Sequence, residues 1–147
     1  MSKDYLILDA ETRMYAIGPQ VLVLANSYLS SMDIVRIAQP VVRETMIRTG
    51  ESASLMIKRK NEGLIVCKEN TAQPIVIARL GLGERVPLYA TAGGKAILAF
   101  LSSEETDQYL TSVELLSLTR NTKTHPDRVF HKLSFNCLDI ACHCRRK

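Results

Sequence analysis

The 147-residue sequence predicts an α+β domain, with helices gathered on one face of an antiparallel sheet. Three observations carry that expectation. Two short β-prone runs near the N-terminus flank a polar turn. Two apolar stripes at helical spacing follow them. A second pair of strand-like runs then joins across a turn containing Asn61 and Gly63.

The first pair is Tyr5-Leu6-Ile7-Leu8 and Met14-Tyr15-Ala16-Ile17, separated by Asp9-Ala10-Glu11-Thr12-Arg13. Polar turn residues between two such runs read as a hairpin. A lone hairpin is marginal in water, so it needs something to pack on. Gly18 breaks the strand, and Pro19 suits the first turn of a helix. From Gln20 onward Val21, Leu22, Leu24, Ala25, Tyr28, Leu29 and Met32 keep one helical stripe. Asp33 is the expected N-cap of a second helix, in which Ile34, Ile37, Ala38, Val41, Val42, Thr45 and Met46 recur at three- and four-residue spacing. Pro40 interrupts that pattern and should bend the helix or mark its true start. Gly50 suits the position just past its end.

Residues 54–58 and 64–68 form the second expected hairpin, with Asn61 and Gly63 supplying turn chemistry. Residues 74–79 read as a third strand and residues 81–84 as a flexible loop. From Arg85 the chain reads as a strand end, a tight turn of small residues, and a short helix from Thr91 or Ala92 to about Leu101. Ser102 or Ser103 should cap a last helix over residues 104–110, with Glu105 three residues after Ser102 as in a capping box. Beyond Thr122 only a weak apolar rhythm persists, and no internal repeat is visible.

Composition bounds the class. Hydrophobic residues make up 46% and charged residues 23%, the balance of a soluble globular chain and not of a disordered one. No apolar stretch approaches the roughly 18–20 residues of a membrane helix, and Met1-Ser2-Lys3-Asp4-Tyr5 lacks the features of a signal peptide. A cytoplasmic protein with no membrane partner is the expectation. The net charge of +4 is concentrated after Arg120, where Lys123, Arg128, Lys132, Arg145, Arg146 and Lys147 outweigh Asp127 and Asp139. A basic end of this kind reads as a solvated tail with, at most, nonspecific attraction to phosphate.

The run Arg85-Val86-Pro87-Leu88-Tyr89-Ala90-Thr91-Ala92-Gly93-Gly94-Lys95-Ala96-Ile97-Leu98-Ala99 resembles the signature of the effector-binding domain in IclR-type bacterial transcription regulators. Tyr5 through Pro19 is similar to the wing hairpin that ends the family's DNA-binding domain, and Val21 to Leu29 to its linker helix. Asp33-Ile34 through Thr49-Gly50-Glu51 and Leu118-Thr119-Arg120-Asn121-Thr122 resemble two further family segments. The likeness spans about Tyr5 to Asn121.

The resemblance implies a winged helix-turn-helix followed by a GAF/profilin-like domain that senses a small organic or aromatic acid, in dimers or tetramers on operator DNA. It implies a division into a winged-helix remnant (1–19), a linker helix (20–32), a partial GAF-like effector-binding domain (33–122) and a divergent basic tail (123–147). The family's recognition helix precedes the wing and further sheet strands follow the matched region, so the resemblance implies truncation at both ends. Direct operator binding is then not expected, because a wing alone enters no major groove. The expected function is the ligand-sensing and oligomer-forming portion of such a regulator. The alternative is a non-sensing remnant that serves only as a structural or dimerisation module.

The resemblance places Val86, Ala92 and Gly93 at the effector pocket, with Ala90 in the same turn. Small residues let a ligand approach the backbone, and unpaired N–H groups at a helix N-terminus favour an anion. The plainer reading is that Ala90, Ala92, Gly93 and Gly94 let a helix pack closely on the sheet. Met56, or its neighbour Leu55, is a candidate pocket wall on the adjacent strand, although methionine there is more often core. Lys95 either assists an anion or is simply solvated.

Cys137, Cys142, His143 and Cys144, with His125 and His131 upstream, make the one cluster of metal-ligand types. His125 and His131 have zinc-like spacing, but a single residue between Cys142 and Cys144 strains chelation by both thiols. No metal or cofactor is expected, and Cys67 reads as a small buried hydrophobe. The sequence holds no G-x-S-x-G, Walker loop or H-E-x-x-H. Gly81 and Gly83 are too few for a dinucleotide fingerprint, and Glu104-Glu105 fits a helix N-terminus. No enzyme is expected.

Overall fold

A computed structural model describes residues 4–71, 80–126, 128 and 129. The expected strand at 74–79 lies outside the described residues, as do His131, Cys137, Cys142, His143 and Cys144. Described elements run β1 (Leu6–Leu8), β2 (Tyr15–Ile17), α1 (Gln20–Ser30), α2 (Asp33–Thr49), β3 (Ala53–Arg59), β4 (Glu62–Glu69), β5 (Arg85–Pro87), α3 (Ala92–Ala99) and α4 (Ser103–Ser112). The α+β expectation holds: β1 pairs with β2, and β3, β4 and β5 form an antiparallel sheet in that order.

The first hairpin closes through Asp9. Its carboxylate accepts the N–H groups of Glu11 and Thr12, both at 2.9 Å, and Arg13 takes the left-handed conformation with φ 58°. α1 follows with no buried residue. Among the described residues, its long-range side-chain hydrogen bond is that of the Tyr28 hydroxyl, which accepts from Arg59 on β3 at 2.7 Å. Among the described residues no single helix is long and apolar enough to cross a membrane. α1 and α2 meet that criterion only as a pair, bent by 87°.

Two expectations for α2 need correction. Asp33 is its first helical residue, and Met32, with extended backbone, occupies the cap without a side-chain bond. The Asp33 carboxylate pairs with Arg36 at 2.8 Å instead. Pro40 does not mark the helix start, since α2 runs from Asp33 through it to Thr49. Pro40 is exposed, so solvent can reach the Arg36 carbonyl that its missing N–H leaves unbonded. Gly50 ends the helix as expected, with φ 71° and its N–H on the Met46 carbonyl.

The sheet carries a bulge that alternation did not reveal. Leu55 pairs with Cys67 but Met56 pairs with Ile65, which leaves Val66 without a partner on β3. Ile65, Val66 and Cys67 are all buried. Successive strand residues face opposite sides, so this burial needs cover on both faces and not on one. α2 and α3 both pack against β4 and supply it.

The main core gathers around the turn after β5: Leu88, Tyr89, Leu98, Tyr109, Leu110 and Val129, with Met56, Ala90 and Ile97 packed against them. Its polar atoms are satisfied internally. The Tyr109 hydroxyl accepts the Tyr89 N–H at 3.2 Å, and the Tyr89 hydroxyl donates to the Leu116 carbonyl at 3.0 Å. Burial pushes the Tyr109 phenol above its ordinary pKa. The buried Thr106 hydroxyl donates to the Leu98 carbonyl at 3.3 Å. α4 begins with the expected capping box: Glu105 N–H on Ser102 Oγ at 3.1 Å, and Ser102 N–H on the Glu105 carboxylate at 3.0 Å.

Candidate functional site

β5 ends at Pro87, and Leu88 and Tyr89 plunge into the core, which forces the chain to turn tightly before α3 can begin. Thr91 caps the new helix from an extended backbone. Its hydroxyl accepts the Gly94 N–H at 3.1 Å, and the first helical bond runs from Lys95 N–H to the Thr91 carbonyl at 2.9 Å. The N–H groups of Ala92 and Gly93 therefore have no acceptor inside the helix.

The glycine pair divides its work. Gly94 is buried, and a Cβ there would collide with the Leu88 backbone, so its lack of a side chain serves packing. Ala92 and Gly93 are exposed. A Cβ at Gly93 would stand 3.4 Å from Met56 Cε and 3.5 Å from its sulfur, which brings Met56 of β3 to the start of α3. Val86 is buried on β5 opposite Gly63, and Gly63 itself lies against Met56 and Leu88. Ala90 is half-buried against the core. Met56 thus stands beside the position a Gly93 side chain would take, and Gly63, the strand partner of Val86, lies against it.

Two cavities escaped the sequence reading. One, of about 630 Å³, lies where α1, α2 and β4 meet. The other, of about 500 Å³, lies beside Tyr89, Tyr109, Leu116 and Leu118. None of Met56, Val86, Ala90, Ala92 and Gly93 lines either. Each is assembled from separate segments of the chain, and no local motif marks it. Among the described residues no group of three or more His, Cys, Asp and Glu side chains is placed to hold a metal ion.

A family model, that of the bacterial transcriptional regulator IclR C-terminal domain, matches residues 26–135. The chain belongs to the IclR family. It is similar to the HTH-type transcriptional regulator KipR of Bacillus subtilis, with 31% identity over 119 residues, 81% of this chain and 47% of that protein. The crystal structure of IclR from Thermotoga maritima superposes with a TM-score of 0.76 at 34% identity, over 89% of this chain and 52% of that one. An IclR homologue from Microbacterium hydrocarbonoxydans, complexed with 4-hydroxybenzoate, has a TM-score of 0.71 over 92% of this chain and 55% of its own; its 21% identity speaks for the fold alone. The chain spans about half the length of the relatives it matches. These relatives agree with the GAF-like effector-binding fold expected of the sequence, and the family is one of transcription regulators and not of enzymes.

Proposed function

We propose that this chain is the metabolite-sensing and oligomer-forming portion of an IclR-type regulator, with its effector seated at the turn between β5 and α3. The observation that carries the reading is the exposed first turn of α3, where Gly93 abuts Met56 and two N–H groups lack helical acceptors. Ala92 and Gly93 offer backbone donors to a carboxylate, and Met56 offers an apolar wall for its body. Val86, the strand partner of Gly63, and Ala90, packed on the same core as Met56, complete the proposed site. The effector class is a small organic or aromatic acid. The M. hydrocarbonoxydans relative, whose complex holds 4-hydroxybenzoate, supports this class through the shared fold.

Within that reading, residues 1–19 form the wing hairpin, 20–32 the linker helix, 33–122 belong to the effector-binding domain and 123–147 form the basic tail. Operator recognition belongs to the whole regulator, and direct DNA binding by these 147 residues alone is outside the proposal. Effector binding is tested by calorimetric titration of the chain with a panel of small carboxylic and aromatic acids, beside the variant Gly93→Val. A binding acid whose affinity falls about tenfold or more in the variant, roughly 1.4 kcal/mol, supports the site. An affinity that Gly93→Val leaves unchanged removes the effector from this turn, and a panel without binders removes the sensing function.

A second reading, a purely structural or dimerisation module, draws on a different observation. α1 buries none of its residues and presents Leu22, Val23 and Leu24 to solvent. A helix this apolar is stable in water only when covered. Homo-oligomerisation through α1 is part of either reading, and the acid panel separates them.

A further inference from the structure

The cavity between α1, α2 and β4 has a chemistry of its own. Its lining carries two cations, Arg36 of α2 and Lys68 of β4, and three carboxamides, Asn26, Gln39 and Asn70; among the described residues no carboxylate lines it. Nearby acids stand outside the lining: Asp33 pairs with Arg36, Glu84 accepts the Gly81 N–H at the rim, and Glu69 lies near Cys67 on β4. The Lys68 ammonium donates to the Leu80 carbonyl at 2.6 Å, which fixes its head beside the space. Arg36 and Asp33 form an exposed pair one helical turn apart, an arrangement that costs little to re-aim. Val35 and Val66 add an apolar wall. At about 630 Å³ the cavity falls within the usual range of small-ligand sites.

From this geometry we infer that the α1–α2–β4 cavity is a second small-ligand site, distinct from the β5–α3 turn, built for an organic anion with an apolar body. The anion meets Arg36 and Lys68 while its body lies on the Val35 and Val66 side. The carboxamides supply both donors and acceptors for its remaining polar atoms. Its position also matters. A ligand there touches the linker helix, α2 and the sheet at once, and so holds α1 against the body alongside the Tyr28–Arg59 bond. None of the turn residues is shared between the two sites, so this inference stands whether or not an effector occupies the turn.

Cys67 provides the readout. It lines the cavity at 7% exposure, and burial, with Glu69 nearby, raises its thiol pKa, so alkylation is slow and sensitive to what covers it. The experiment follows iodoacetamide labelling of Cys67 in the full chain by peptide mass, with 2-naphthoate as the anion and 2-naphthamide as its neutral counterpart. At a ligand excess of about ten over Kd, 2-naphthoate slows labelling about tenfold by mass action, and 2-naphthamide does not. Arg36→Gln and Lys68→Met each abolish the protection, whereas Gly93→Val retains it. Three results overturn the inference: no protection by millimolar 2-naphthoate, equal protection by the amide, or protection lost in Gly93→Val and kept in both cavity variants. Arg36 is exposed, so Arg36→Gln keeps the test informative if Lys68→Met perturbs folding.

Discussion

The arm formed by residues 4–30 and the body built around Leu88 draw on similarly apolar sequence and bury it to opposite extents. In the arm, Leu22 is 74% exposed and Ile17 77%. In the body, Leu88 is 0% exposed and Leu98 1%. The difference lies in what surrounds each stripe. α3 and α4 close on a sheet and on each other, and their polar atoms are paired within the core. α1 touches the body chiefly along α2 and through one tyrosine hydroxyl. Hydrophobic periodicity thus fixes which face of a helix wants cover without saying which surface provides it.

The contrast breaks first in the body. Leu98→Ala should cost about 3 kcal/mol, because it empties a fully enclosed site, and urea denaturation would reveal it as a lowered midpoint at unchanged slope. Gly94→Ala should cost about 2 kcal/mol even though alanine is the better helix former, since the new methyl meets the Leu88 backbone and not a movable side chain. If thermal melting shows Gly94→Ala to be neutral, the close approach of α3 to the turn is wrong. Ser102→Ala should cost about 1 kcal/mol through loss of the α4 cap.

The same cap carries a pH signature. The Ser102 N–H, and then its hydroxyl, hold the Glu105 carboxyl below its ordinary pKa. A carboxylate depressed on folding contributes stability above its unfolded pKa and loses it as pH falls through the folded value. Glu105→Gln should therefore flatten the acid limb of a stability–pH curve and lower the limb above pH 7 without changing its slope. In the arm, Leu22→Ser should move stability by no more than about 0.5 kcal/mol. It should nonetheless shift the chain toward monomer in sedimentation velocity. A large loss of stability there would show that α1 is covered within its own chain.

Local chemistry was legible from sequence and tertiary closure was not. The first hairpin, the Gly50 terminus, the Thr91 start of α3 and the Ser102–Glu105 box follow from residues within a few positions of one another. The second hairpin instead turns with Lys60 at φ 53° and holds Gly63 inside β4 and not in its turn. The Val66 bulge depends on register against β3, and the sequence of β4 carries no mark of it. Pro40 misleads as a mark of the helix start because its cost depends on whether the Arg36 carbonyl reaches solvent, a property of the fold. At the candidate turn, the resemblance named Gly93 for the pocket, whereas Gly94 entered only the plainer reading of a helix packed closely on the sheet. Packing separated them, one pressed on Leu88 and the other open beside Met56.

The bond between Tyr28 and Arg59 links positions 31 residues apart. Anyone splicing this body onto a foreign reader domain would need to transplant the two together. A chimera that kept the β3 guanidinium but replaced the phenol on α1 would lose that hydrogen bond between the helix and the sheet.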